Sequence, residues 1–561
     1  AAELPVELRF DHLVASGDRW REGAKDRKRA RERFQQAHNA IFDRAEPLER
    51  LLGLHEEDGN IEQVIDIRRH LLGLERDASV RARQWFALGE FCMFEARREK
   101  DAFEAFEEAL DADPTMLEAL EVLATALAEV QEWGELERVY EKMVTRFEKR
   151  DRDDATVTVL AELHRRMALL HRDHLEDSES ALEELDKELA LRPDQLSGQL
   201  LAAEVAVEVG DPLRAMRYLR RSARLDPTRS ETFHQLFVAA RRADDTESAF
   251  LAAGVAVEMG AADDRERIVY QEHRPQTPPP HSHQLSEEAW EWLRDPTRDQ
   301  RVERIMHAIA PAVLRHRVKQ LDAAGALPRL PDTGPQDPST TTVSALRSIA
   351  WASQYLGITC PDLYAGEELP GGFTAPFAWK PTTFVGREVL TGKTLLELAF
   401  LAGRHLALRI PEHELIAHLT SIDELTACFL AGVHLVLGSS PSAGKLGKPV
   451  AALAKLLERQ LEEAELEELH DAVEDFSEAG GRADLKRWIA SVELCAARAG
   501  YLLCGDLTTS LRVLQEQPPN FATADRITHD LYAFAVSEEH LSLRHQLGSA
   551  LDLPEDQAIN S

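Results

Sequence analysis

The sequence predicts a mainly α protein: an α-solenoid of repeated helical hairpins, followed by a mostly helical domain with a small β element. Three observations carry this reading. Ala181, Ala215 and Ala249 recur at a spacing of 34, and Pro193 and Pro227 keep the same interval. The segments "AFEAFEEALDADP" (102–114), "ALEELDKELALRP" (181–193) and "AMRYLRRSARLDP" (215–227) each place Ala and Pro 12 residues apart around an apolar helical face. Strand-like alternation, by contrast, is confined to "PTTFVGREVL", within 373–392.

Bulk composition narrows the function classes. The chain has 561 residues, with 44% hydrophobic and 29% charged, as in ordinary globular proteins. A formal net charge of −33 repels phosphate backbones, so no nucleic-acid partner is expected. The apolar stretch "ACFLAGVHLVLG" at 427–438 is too short to span a bilayer, so no membrane span is expected. No signal-peptide pattern opens the chain, and it begins without Met, as a processed or excised piece of a longer protein would. The five cysteines (Cys92, Cys360, Cys428, Cys495, Cys504) form no C-x-x-C and mostly sit in apolar runs. They are expected to be buried free thiols, which favours a reducing compartment and a cytoplasmic location. The one basic run, "REGAKDRKRARERF" at 21–34, is expected to be a solvated helix face rather than a site for an acidic partner.

Along the chain, residues 1–81 are expected to form divergent helical repeats, with "LERLLGLHEEDGNIEQVIDIRRHLLGLERD" inside 45–80 as one pair. The clearest repeats occupy 82–270. "WFALG" at 85–89 supplies a large residue and Leu-Gly on a first helix; Ala102 and Phe106 follow on a second, and Pro114 ends it. Ala102 and Leu136 are also 34 apart, but an 11-residue surplus separates Leu136 from Ala181. Residues 271–341 read as linker and bridging helices: "HRPQTPPPHSHQ" (273–284), helices near 285–294 and 299–324, then a Pro-, Asp- and Thr-rich loop at 327–342. Residues 342–561 form the second domain. Its helices are expected at about 342–356, 393–410, 411–419, 422–437, 448–460, 463–479, 482–504, 507–516 and 522–532.

This period and pattern resemble the tetratricopeptide repeat. The resemblance implies a concave groove for a peptide or protein partner. Glu118, Glu121, Glu204, His234 and Arg241 are the candidate groove-lining residues, a mixed set that does not spell a Lys/Asn-rich carboxylate clamp.

The second domain resembles an HtpX-like gluzincin metallopeptidase that has lost H-E-x-x-H. "TFVGREVLTGKTLLELAFLAGRHLALR" gives strand, turn and helix, and "VELCAARAG" at 492–500 resembles the later helix that carries a glutamate ligand. Carried over residue by residue, the zinc histidines become Gly403 and Ala407 and the general base becomes Arg404; Glu493 falls on the third-ligand position, Ala497 on a later Asp and Arg498 on the Arg. Two His at i and i+4 share a helix face and can grip zinc. Gly and Ala bind nothing there, and a guanidinium cannot accept a proton from water. The resemblance therefore implies no catalytic residue, no metal and no cofactor, with an Arg404–Glu493 ion pair in place of zinc. His405, His413 and His418 are the histidines that could supply an alternative site. "GREVLTGKT" (386–394) and "GSSPSAGKL" (438–446) are phosphate-loop decoys, each with five residues between the glycines where four are needed.

The expected function is a non-catalytic interaction scaffold with a pseudo-peptidase domain, similar to large acidic bacterial repeat proteins that assemble complexes. A hydrolase with non-standard zinc ligands and a peptide- or small-molecule-sensing module are the alternatives. The sequence carries no signal for an oligomeric state.

Overall fold

A computed structural model of the chain describes residues 5–369, 371–438 and 444–551. Residues 439–443 of the second phosphate-loop decoy lie outside the described residues. The chain divides into two compact units, Ala1–Gly198 and Gln199–Ser561. This boundary falls inside the expected repeat array.

In the first unit the helices are α1 (Val6–Asp18), α2 (Arg27–Ala40), α3 (Glu46–Glu57), α4 (Ile61–Leu74), α5 (Ala78–Glu90), α6 (Glu99–Ala112), α7 (Leu117–Glu129), α8 (Trp133–Glu148), α9 (Asp154–Asp173) and α10 (Ser178–Leu191). Each packs on the helix before it, which makes a run of helical hairpins of the tetratricopeptide type. The 11-residue surplus resides in the helices themselves: α8 has 16 residues and α9 has 20, against 13 or 14 in α5, α6 and α7.

A second periodicity emerges that the 34-residue reading does not contain. Gly17 and Gly89 stand 72 positions apart, and a Cβ at either would run into a phenylalanine ring, Phe34 or Phe106. Lys25 and Arg97, also 72 apart, both adopt positive φ (52° and 56°). One turn of π-helix follows α1 at Arg19–Gly23 and follows α5 at Phe91–Glu95. A π-turn houses an extra residue inside the helix rather than in the loop. The α1–α4 block and the α5–α8 block thus share their irregularities as well as their packing.

α11 (Leu196–Val209) crosses the unit boundary in sequence. The second unit continues with α12 (Pro212–Leu225), α13 (Ser230–Arg242), α14 (Thr246–Glu258), α15 (Asp264–His273), α16 (Glu287–Leu293), α17 (Gln300–Ala323) and α18 (Ser344–Leu356). Three strands follow: β1 (Asp362–Ala365), β2 (Phe373–Thr374) and β3 (Thr382–Val385). The rest is helical: α19 (Arg387–Leu390), α20 (Leu395–Ala407), α21 (Glu414–His418), α22 (Ile422–Leu437), α23 (Gly447–Gln460), α24 (Glu463–Glu478), α25 (Leu485–Cys504), α26 (Leu507–Glu516), α27 (Ala524–Ala535) and α28 (Glu538–Leu547).

The repeat alanines Ala102, Ala181, Ala215 and Ala249 are fully buried. α14 is buried all round, from Glu247 to Ala256, because it packs on α13 and α15 and also on α26 and α27. Buried polar ties fix this arrangement. Arg544 pairs with Glu247, which also accepts the Leu551 N–H at 2.7 Å. Asp506 is fully buried and accepts from Tyr270 Oη at 2.7 Å and from Arg274 at 2.8 and 3.0 Å.

The Pro-rich segment 273–284, expected as a linker, is a fixed strap. Pro275 and Pro279 lie over Gly505, and Ser282 N–H donates to Leu547 O at 2.7 Å. The His281 ring is buried against Trp351 and Tyr355, at centroid distances of 5.3 and 5.1 Å. The bridging helix α17 enters the core of the second domain, where Ile305, Ile309 and Val313 join α22 and α24. The sheet has order β1-β3-β2, with β1 parallel and β2 antiparallel to the fully buried β3. The strand expected in 381–390 is thus limited to four residues; Gly386, still extended at φ −85° and ψ 173°, leads into a helical turn at Arg387–Leu390.

Candidate functional site

The first helix of each hairpin carries the candidate groove residues. In the first unit Glu118 and Glu121 project from α7 and are exposed. Glu121 accepts from Arg166 of α9 at 2.8 Å, and Arg166 also donates to Glu162 at 2.9 Å. Neighbouring first helices are therefore tied by a carboxylate–guanidinium–carboxylate chain along one face. In the second unit Glu204 on α11 and Arg241 on α13 are exposed. His234 is different: its Nδ1 meets Glu266 of α15 at 2.7 Å, and Glu266 completes the capping box of that helix with Asp263. The basic run is largely neutralised, with Arg21 and Arg27 on Glu57 and Arg31 on Asp58.

The zincin-like positions cluster where α20 crosses α25. Thr394 and Glu397 form a capping box that starts α20. The crossing is tight enough that backbone meets backbone. A Cβ on Gly403 would lie 2.9 Å from Ala499 O, and one on Gly500 would lie 2.7 Å from Phe400 O. Gly403 is therefore a close-approach glycine, with no space for an imidazole. Ala407 and Ala497 are fully buried in the same seam.

The expected Arg404–Glu493 ion pair is not made. Both side chains instead hold one loop. Arg404 Nη1 donates to Gln517 O at 2.7 Å, and the Glu493 carboxylate accepts from the backbone N–H groups of Asn520, Phe521 and Ala522 at 2.5–3.2 Å. Burial draws the Arg404 pKa below the usual guanidinium value, and nearby Glu493 opposes that shift. Residues 517–522 are thus held by the two side chains that the resemblance paired with each other. Arg498 is committed elsewhere, bidentate to Asp530 at 2.6 and 2.8 Å and bonded to Leu293 O and Arg294 O.

The three histidines near this helix are engaged separately. His405 Nε2 meets Thr383 Oγ1 at 2.9 Å, and burial beside Arg409 and His418 lowers its pKa to about 3. His413 Nδ1 donates to Ala407 O at 2.9 Å, with its pKa lowered by burial to about 4. His418 is lowered to about 4 by burial and by Arg409, and its ring packs on Phe377. Among the described residues, no group of three or more His, Cys, Asp and Glu side chains is placed to hold a metal ion. Of the cysteines, Cys360 is exposed and the other four are buried.

Two concavities of the second unit were not foreseen. One, of about 820 Å³, lies between Trp290, the 357–362 loop, Lys380 and Arg409–Glu412. The other, of about 730 Å³, lies between α17, α22 and α23. Only the second has a sequence signal: Lys455 and Arg459, one helical turn apart beside Leu453 and Leu456.

Fold and site together define a mainly helical repeat protein, with a mostly helical domain that carries a small three-stranded sheet fused onto its last hairpins. No protein-family model matches the sequence, and no curated protein matches it. Among solved structures, the MamA protein aligns at TM-score 0.23 and 14% identity over 35% of this chain and 96% of that one. The C-terminal part of a TPR repeat-containing protein from Cytophaga hutchinsonii aligns at 0.25 and 13% over 47% and 99%. The TPR2AB domain of yeast Sti1, in complex with an HSP90 peptide, aligns at 0.18 and 15% over 47% and 96%. At such scores the description of the fold rests on this chain's own helix packing. No helix among the described residues is long and apolar enough to cross a membrane.

Proposed function

We propose that this chain is a non-catalytic, cytoplasmic protein-interaction scaffold, a subunit of a larger assembly, whose first-unit hairpins hold a peptide or protein partner. The observation that carries the reading is the face shared by α7 and α9, where Glu118, Glu121 and Glu162 stand exposed while the apolar sides of the same helices are spent on the core. With Arg166 bridging Glu121 and Glu162, the face keeps Glu118 and a net negative charge; this suits a partner with basic side chains, and complementary charge sets orientation and association rate more than affinity. Cross-linking mass spectrometry on the full chain tests this. Glu118→Lys with Glu121→Lys should abolish cross-links from α7 and α9 to the partner; an unchanged cross-link map would remove this face from the reading.

The second domain acts as a structural platform in this proposal. Its likeness to gluzincins is one of element order, and the seam at Gly403 supports packing rather than a vacated zinc site. The variant Gly403→His/Arg404→Glu/Ala407→His is expected to take up no zinc and to lose helical stability. Stoichiometric zinc with the fold intact would instead support a gluzincin ancestry.

A further inference from the structure

The groove between α17, α22 and α23 combines features that nothing in the scaffold reading uses. Its floor is apolar: Val313 and Leu314 from α17, Leu453 and Leu456 from α23, and Phe377 from the β2–β3 loop. Its volume, about 730 Å³, falls in the range of about 300–1,000 Å³ that holds small organic ligands. The lining also inverts the charge of the molecule. Arg317, Lys455 and Arg459 face two carboxylates, Asp423 and Glu424, in a chain of net charge −33.

These cations are unspent. Arg294, Arg298, Arg315 and Arg498 in the same unit all sit in ion pairs. Among the described residues Arg317, Lys455 and Arg459 form none, and Arg317 bonds only Gln320 Oε1, at 3.1 Å, leaving its Nε buried and unpartnered. Cations left unpaired at the edge of an apolar trough match one kind of molecule: an aliphatic chain ending in an anion. The chain removes the trough's apolar surface from water, and the head group gives the guanidinium a charge-assisted partner.

We infer that this groove binds an amphiphile with a single aliphatic chain and a carboxylate head, seated with its tail against Leu314, Leu453 and Leu456 and its head towards Arg317 and Arg459.

Calorimetric titration of the full-length chain with dodecanoate, below its micellar concentration, tests the assignment against dodecyltrimethylammonium, which has the same tail and the opposite charge. One saturable site for dodecanoate is expected, with binding weaker by about tenfold or more for the cationic analogue, the loss of one charge-assisted contact. Ala452→Trp, at an exposed position on the groove wall, should block dodecanoate while leaving the circular dichroism unchanged. Lys455→Glu with Arg459→Glu should weaken dodecanoate and strengthen the cation. Absence of saturable binding to the wild-type chain would overturn the proposal. So would equal affinity for the two amphiphiles, or wild-type affinity in both variants.

Discussion

The two units hold themselves together at different ranges along the chain. In the first, the polar ties join helices about one hairpin apart: Arg69 to Asp101, Lys142 to Glu107, Arg146 to Asp111. These pairs sit at the surface, as Lys142 and Glu107 show at 38% and 22% side-chain exposure. In the second unit, Arg544 meets Glu247 from 297 positions away, and Arg274 meets Asp506 from 232. The Arg544–Glu247 side chains are 3% and 2% exposed. A stack of local interfaces adds its stability repeat by repeat. A body closed by distant buried pairs rises or falls with a few residues.

The strongest way to break the comparison is to remove one buried partner. Arg544→Met removes a buried guanidinium from the Glu247 carboxylate and is expected to cost the second unit about 3–5 kcal/mol. Urea unfolding followed by hydrogen exchange should place that loss in residues 199–551 and leave the first unit's protection unchanged. A loss spread evenly over both units would erase the distinction.

Acid should separate the units next. His281 and His540 are held near pKa 4 and 3 by burial, with Arg544 adding repulsion. His413 and His418 lie near 4 and His405 near 3. Folded values below the unfolded value of about 6.5 mean that the neutral rings stabilise fully above that pH. The contribution is lost as pH falls from about 6.5 towards 4, because the unfolded chain takes up protons first. One ring shifted to about 4 is worth on the order of 2 kcal/mol between pH 7 and pH 5. The first unit's lowered histidines, His38 and His55, carry no comparable shift. Melting followed from pH 7 to pH 5 should therefore lower the second unit's transition well before the first's, and parallel falls would contradict the histidine assignment.

The smallest effect belongs to the surface ladder. Lys142→Met should cost the first unit only about 0.2–1 kcal/mol, and the cost should fade in high salt. A loss as large as that of Arg544→Met would show that surface pairs in the array act as one network.

Most of the helical architecture was legible because its causes are local. The Ala-to-Pro interval marked α6, α10 and α12, and the C-terminal helices α22 to α26 fall within a few residues of their expected bounds. β2 escaped notice because a strand of two residues leaves no alternation to read, and β1, though as long as β3, lacks the longer alternating run that surrounds β3 in the sequence. α28 was missed because two of its four buried residues are His540 and Arg544, and Arg544 looks out of place in a core until Glu247 supplies its partner. The site was less legible for a related reason. Gly403 fitted a ligand position in one dimension, and only the crossing with Gly500 reveals that the missing side chain makes way for backbone. Arg404 and Glu493 were expected to pair with each other, yet their partners are main-chain groups of 517–522, which no side-chain motif announces.

The distance between Glu247 and Arg544 also sets a schedule. A ribosome adding about 5–20 residues per second needs roughly 15–60 s to pass from the first to the second. For that interval α14 has emerged with apolar surface on every side and half of its neighbours unmade. The early hairpins can settle as they leave the tunnel; α14 must wait for helices that do not yet exist, which makes it the natural handle for a chaperone during synthesis and the natural seed of aggregation in any product truncated before α26.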